Sequence, residues 1–215
     1  MTVELVDQND KIEIAPAMAG GISHGNKIET LEDAKELNKK FVDWGHTSVF
    51  QFSFATFYIE DVSRSLLSQL SRHTFINLLV KSQRYTSTKD DEVIIPDEIK
   101  EWAKENEEHR DALDQIMGHF DWFYDRLLDD DIKKENARYF SPIGTSTKLY
   151  ASANLRAWRE FIEIRGLNKG AQKEIRELAQ EVLEYLYYEA PSIFEDLIEE
   201  YEDNFLAGGG DNPYA

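Results

Sequence analysis

From Asp97 to Tyr201 the sequence keeps returning to a helical period, and this constrains the fold more than any other feature. Apolar side chains recur at helical spacing through Ile99, Trp102, Ala103, Leu113, Ile116, Met117, Phe120, Phe123, Tyr124 and Leu127, which predicts one long helix from Asp97 to Leu128. The acidic run Asp129-Asp130-Asp131 interrupts it. Further helices are expected near Lys133, over Thr147 to Ile164, over Gly170 to Tyr188 closed by Pro191, and over Ser192 to Tyr201. Earlier, Thr30 to Trp44 reads as a helix, with Thr30 as its cap, Glu32 and Asp33 in its first turn, and a stripe of Leu31, Ala34, Leu37 and Phe41. Val62 to His73 also has a helical period. Strands are expected only near the front: Val3 to Ile14 as strand, turn, strand about Asn9-Asp10, and Phe50 to Ile59, where aromatic and β-branched residues mostly alternate. Between them Ala15 to Asn26 reads as a loop, because Gly20, Gly21 and Gly25 surround Ser23 and His24. No βαβ rhythm appears. The class is therefore α+β, a small antiparallel or mixed sheet with long packed helices in a single domain over residues 1–205, and residues 206–215 form a flexible tail around Gly208-Gly209-Gly210.

Composition then narrows the chemistry. A chain of 215 residues can bury one full core. Its 42 acidic against 24 basic side chains argue against nucleic acid or an anionic membrane surface as partner, since a polyanion needs a basic face. A single pocket for a small phosphorylated ligand remains compatible with that charge. Cysteine is absent, so disulfides, thiolate nucleophiles and cysteine-ligated metals are excluded. The five histidines form neither HExxH nor a close cluster, and no metal site is expected. Neither GxGxxG nor GxxxxGK occurs. The N-terminus lacks a basic start followed by an apolar stretch, and no apolar run approaches the ~18 residues of a membrane span, so a cytoplasmic location is expected.

On this acidic background Arg72-His73-Thr74 and Ser82-Gln83-Arg84-Tyr85 flank a short apolar run. Arginine meets phosphate or a planar base edge with a rigid fork of donors. Two readings of Ser82 to Tyr85 are open: a turn whose hydroxyl, amide and backbone N–H groups meet a phosphate, or an exposed loop after a strand. Gln69 and Arg72 share one helix face, as ligand contacts or as surface residues. His73 and His46 are each either ligand-contacting or structural. A second group comprises Arg138, Arg156, Arg159, Arg165 and Arg176, with Asn154 and Glu160 nearby. Arg165 follows Phe161, Ile162 and Ile164, which places its stem half-buried and its head in a cleft; the competing reading pairs these arginines with neighbouring glutamates.

Taken together, these segments resemble the flavin-dependent thymidylate synthases. Arg72-His73-Thr74, seven residues, then Ser82-Gln83-Arg84-Tyr85 is similar to that family's Arg-His-Arg signature followed by Ser and Gln-Arg-Tyr. Gly45-His46-Thr47-Ser48 resembles its Gly-His-x-Ser/Thr, and Phe54 to Gln69, with Val62-Ser63-Arg64, resembles the element leading into the signature. Ile132 to Arg138, Asn154-Leu155-Arg156, Ile164-Arg165 and Ala171 to Arg176 resemble later segments, in the family's order.

The resemblance implies transfer of a one-carbon unit from methylene-tetrahydrofolate to C5 of dUMP, with FAD as cofactor and NADPH as reductant, giving dTMP. It implies a homotetramer with active sites at subunit interfaces, and no cysteine nucleophile. Carried over by position, Gln69, Arg72, Ser82, Gln83, Arg84, Arg138 and Arg165 surround the nucleotide, with Arg165 as the catalytic group. His46, Ser48, Arg72, His73, Thr74, Asn154, Arg156 and Glu160 line the flavin. The chain departs from the family pattern at Thr74, in place of the second arginine; at Asn77, where serine is common; at Val80, where some members have Glu or Gln; and at Glu160, in place of an asparagine. These departures motivate the alternatives of a related C5-modifying, for example hydroxymethylating, flavoenzyme or a non-catalytic nucleotide-binding relative.

Overall fold

A four-stranded sheet in the order β1-β2-β4-β3 organises the fold, with β1 at Thr2–Gln8, β2 at Phe54–Ser63, β3 at Asn77–Val80 and β4 at Ser146–Asn154. The computed structural model describes residues 1–25, 27–89 and 91–206. Asn26 and the tail at Gly208 to Gly210 therefore lie outside the described residues. Cross-strand contacts fix the direction of pairing. Thr56 Oγ1 donates to Ser152 Oγ at 2.9 Å, the rings of Tyr58 and Tyr150 lie 5.3 Å apart, and Lys148 Nζ donates to Glu60 at 3.1 Å. One partner advances along the chain as the other recedes, so β2 and β4 are antiparallel. The α+β class expected from the sequence is the one observed.

β4 corrects an expectation. The sequence predicts helix over Thr147 to Ile164, yet Ser146–Asn154 is a strand and the α-helix begins only at Leu155–Phe161 (α7). Thr147, Leu149, Ala151 and Ala153 are buried while Lys148 and Tyr150 are exposed, a period of two. Pairing with a distant strand overrides the helical propensity of alanine, leucine and lysine.

The front of the chain needs a second correction. After β1 the expected second strand and glycine loop are instead helix α1, Ile14–His24. Gly20 belongs in that helix for a packing reason. A Cβ there would sit 2.3 Å from Phe41 Cζ, so only glycine lets α1 approach α2, Leu31–Asp43. The start of α2 matches the sequence reading: Thr30 and Asp33 form a reciprocal capping box, and Ala34, Leu37 and Phe41 are buried.

Other boundaries shift. Thr47–Phe52 forms a tight 3-10 turn rather than the start of β2, and the helix expected over Val62 to His73 is confined to α3, Arg64–Leu70. The long helix from Asp97 divides into α4, Asp97–Lys104, and α5, Glu107–Asp129. Asn106 makes the break, its side chain accepting from His109 N at 2.9 Å. Helices α6, Lys134–Ala137, α8, Lys173–Glu189, and α9, Pro191–Tyr201, fall near their expected places, with Pro191 at the first turn of α9. Among the described residues no helix is long and apolar enough to cross a membrane.

Residues cluster in two compact units: the described residues of Met1–Ile59, Gln69–Leu79 and Tyr150–Ala215, and those of Glu60–Ser68 and Val80–Leu149. In the first, Trp158 packs edge-on to Phe57 at 5.2 Å and donates its indole N–H to Ala55 O at 3.0 Å. Arg159 is also buried there, and Asp196 takes both its Nη groups at 2.8 and 2.6 Å. In the second, Phe123 meets Phe140 edge-on at 4.8 Å, and Tyr124 is buried with its hydroxyl accepting from Thr88 N at 3.3 Å.

Candidate active site

Arg165 stands on an irregular turn. After α7 the chain widens at Ile162–Gly166, where Leu167 N donates to Ile162 O at 3.1 Å, five residues back rather than four. Ile162 and Gly166 are buried, and Arg165 is left half-buried. Its Nε donates to His73 Nε2 at 3.1 Å. His73 belongs to the loop that follows α3, and its ring stands edge-on to Phe161 at 5.1 Å. An imidazole accepting at Nε2 must be neutral with its proton on Nδ1. The electrostatics agree. Burial first, then the Arg165 guanidinium, hold His73 below the usual histidine value, against an opposing pull from Glu160 and with a further lowering by Arg72.

Around this pair lies a cleft of about 450 Å³. Arg72, His73, Thr74, Glu160 and Arg165, all singled out in the sequence, line it together with Phe75, Ile76, Ala157, Ile164 and Asn168. Phe75 and Ile164 remain 70% and 43% exposed. Apolar faces left uncovered beside two guanidiniums suit a flat heteroaromatic ring with a polar edge, so these residues fit a flavin. Glu160 sets a carboxylate among the cations.

The remaining flavin candidates do not line the cleft. Asn154 Oδ1 accepts from Ala157 N at 2.9 Å and so caps α7, and Arg156 is exposed on that helix. His46 and Ser48 are exposed on the segment after α2, with His46 edge-on to Trp44 at 5.8 Å. Gln69 pairs its side-chain amide with that of Gln172. Arg176 serves the backbone, donating to Lys169 O at 2.8 Å and Ala171 O at 3.2 Å.

The other nucleotide candidates, Ser82, Gln83, Arg84 and Arg138, belong to the second unit. Ser82 to Thr86 is a turn in which Thr86 N donates to Ser82 O at 3.0 Å and Arg84 N donates to Ser82 Oγ at 3.3 Å. Gln83 is buried. Arg84 reaches Glu135 through both Nε and Nη2, each at 3.1 Å, and Arg138 Nε donates to Glu135 O at 3.3 Å. Lys134 Nζ donates to Tyr85 O at 3.2 Å. Burial and the adjacent Arg138 pull Arg64 below the usual arginine value. Arg84 on this turn, with Lys134 and Arg138 reaching toward it from α6 and the residue after it, thus brings several cations together, an arrangement that favours an anionic ligand.

Sequence reasoning missed Phe75, Ile76, Ala157, Ile164 and Asn168 as lining residues and Glu135 as the partner of Arg84. Glu135 precedes Arg138 by three residues, a readable signal of proximity. Phe75, beside the signature, carried no signal separating an exposed ring from a buried one. Among the described residues no cluster of His, Asp or Glu could hold a metal ion.

The profile of the family described as thymidylate synthase complementing protein matches residues 4–192. A probable flavin-dependent thymidylate synthase of Mycobacterium phage L5 is 36% identical over 186 residues, covering 81% of this chain and 74% of the relative. The flavin-dependent thymidylate synthase of Corynebacterium glutamicum is 32% identical over 182 residues, 80% of this chain and 71% of the relative. That of Mycobacterium tuberculosis is 31% identical over the same length and coverage.

Proposed function

The chain belongs to the flavin-dependent thymidylate synthase family, and from that premise we propose that it methylates dUMP to dTMP with methylene-tetrahydrofolate as carbon source and NADPH as reductant. The observation carrying this reading is the cleft where Arg165, bonded to His73, stands beside Arg72, Thr74 and the uncovered ring of Phe75. Flavin, when bound, would supply the hydride that completes the methyl group. Arg72 and Glu160 would hold its polar edge, Thr74 would lie beside its diphosphate, and Phe75 and Ile164 would cover its apolar faces.

Arg165 carries the protein's share of the chemistry. Its Nη groups, left available by the Nε bond to His73, would meet the uracil edge and stabilise the negative charge that builds on the base as C5 attacks the one-carbon unit. Such a donor set is already oriented, so little reorganisation opposes the reaction. Ser82, Arg84 and Arg138 would take the nucleotide phosphate, with Gln83 buried in the same turn. We assign the assembly as a homotetramer in which neighbouring copies contribute the Arg165 group and the Arg84 group to one site.

The test is the purified protein itself. A flavin absorbance that NADPH bleaches, together with dTMP identified by mass spectrometry after addition of dUMP and methylene-tetrahydrofolate, is the expected result. Colourless protein that cannot be reconstituted with FAD, or a hydroxymethylated product, would overturn it.

A further inference from the structure

We propose that His73 is a positioning residue for Arg165, acting by accepting the Arg165 Nε–H at its own Nε2 and thereby fixing the direction in which the guanidinium presents its Nη groups. The inference rests on the catalytic reading of Arg165 given above, and adds a second residue and a protonation requirement to it.

Geometry carries the argument. Arginine has donors only and is charged at every physiological pH, so every hydrogen bond that orients it must go to an acceptor. The acceptor at its Nε is a nitrogen 3.1 Å away on a different segment of the chain, not one of the many carboxylates of this acidic protein. A carboxylate would neutralise the guanidinium. A neutral imidazole orients it and leaves its charge undiminished for the substrate. Phe161, standing edge-on at 5.1 Å, fixes the plane of the imidazole. The widened turn at Ile162–Gly166 sets Arg165 opposite that ring.

Only one protonation state can do this. A proton on Nε2 turns the acceptor into a donor facing a donor and places two cations together. Among the described residues, the charged groups that act on His73 are Arg165 from the turn after α7, Glu160 from α7, and Arg72 from its own loop. Burial and the two arginines favour the neutral ring and Glu160 opposes them, with the net effect downward. The bond therefore persists through neutral pH and fails as pH falls below the ordinary histidine range.

Two variants of the full-length chain separate positioning from packing. His73→Phe retains a ring against Phe161 but has no acceptor. His73→Gln offers a non-titrating carbonyl oxygen in a similar place. In protein without added flavin, the Arg165 Nε–H resonance, assigned by its loss in Arg165→Lys, should be protected from solvent exchange in the parent at neutral pH. Protection should vanish on acidification, persist in His73→Gln across that range, and be absent in His73→Phe at every pH. In the flavin-loaded enzyme kcat should fall by about tenfold in His73→Phe, equivalent to ~1.4 kcal/mol, and recover partly in His73→Gln. The acid limb of the parental pH profile should be missing from His73→Gln. Equal protection of the Nε–H in His73→Phe and parent, or a parental acid limb in His73→Gln, would refute the positioning role. Parental turnover in Arg165→Lys would instead remove the catalytic reading, while the exchange measurement would still report whether His73 orients the guanidinium.

Discussion

Gln180 donates its side-chain amide to the carbonyl oxygen of Gly166 at 3.0 Å, one residue beyond Arg165. The last carbonyls of a helix have no partner within it, and a widened turn worsens the mismatch. Helix α8 thus supplies from outside the bond that holds the arginine-bearing turn. Gly166 itself lies against α8, where a Cβ would meet Ala179 Cβ at 3.3 Å. Gln180→Leu leaves the carbonyl without this donor, a loss of about 1–3 kcal/mol. A lowered thermal midpoint and a disproportionate drop in kcat are expected. Parental values for both would show that the turn holds itself.

Arg165→Lys keeps the charge but loses the planar fork and the Nε bond to His73. Turnover should fall roughly a hundredfold, the scale of removing one oriented transition-state donor. The thermal midpoint should barely change, because the side chain is half-buried on a turn secured by other contacts. Steady-state kinetics and calorimetry on the same preparation check both halves.

The half-buried stem of Arg165 was legible from Phe161 and Ile162, which are buried, although Ile164, read with them, is exposed. The widened turn was not legible, since packing against α8 sets it. Strand β4 failed for a related reason. The partner that makes Ser152 a strand residue is Thr56, 96 positions earlier, and no local window contains it. Gly20 and Gly21 misled because glycine marks loops by default, whereas here the Phe41 ring requires the missing Cβ at Gly20. The signature arginines were plain in the sequence, but Glu135 opposite Arg84 became visible only in three dimensions.

That carboxylate yields a prediction of opposite sign at neighbouring positions. Arg84 and Glu135 are both partly exposed, so their ion pair adds little to stability. It does compete with any phosphate for the guanidinium. Glu135→Gln should tighten dUMP binding, and Arg84→Ala should weaken it by about 1.5–3 kcal/mol, the worth of a charge-assisted hydrogen bond. Titration calorimetry decides. Unchanged affinity in both variants would remove this turn from the phosphate site.

Glu163 offers a test through pH. Partial burial raises its half-exposed carboxyl above the usual range; Arg159 opposes this, and Asp196, Glu160 and Glu200 reinforce it. A raised folded-state value means that the native protein holds this proton more tightly than the unfolded chain. Its contribution is therefore full at acid pH and is lost as pH rises through the folded value. Glu163→Gln should raise the thermal midpoint at neutral pH, with the gain shrinking as pH falls into the ordinary carboxylate range. A gain that grew on acidification would contradict the assignment.

Thr74 supplies the last prediction. It is exposed, lines the cleft beside Arg72 and His73, and stands where the resemblance to the family signature would place a second arginine. A flavin dinucleotide is anionic through its diphosphate, so an added guanidinium at this position should gain a charge-assisted contact. Two effects compete. Arg72 and Arg165 already raise the local positive potential, which costs an incoming cation, while Glu160 in the same cleft repays part of that cost. Solvent screening weakens repulsion between exposed side chains more than it weakens a direct contact to a bound diphosphate, so the contact should win. Thr74→Arg is therefore expected to tighten FAD binding by about tenfold, at the lower end of the ~1.5–3 kcal/mol of such hydrogen bonds. Titrating FAD into stripped protein and following flavin fluorescence measures it. Weaker binding in Thr74→Arg would mean that the cleft is shaped around threonine, and the diphosphate would have to be placed away from residue 74.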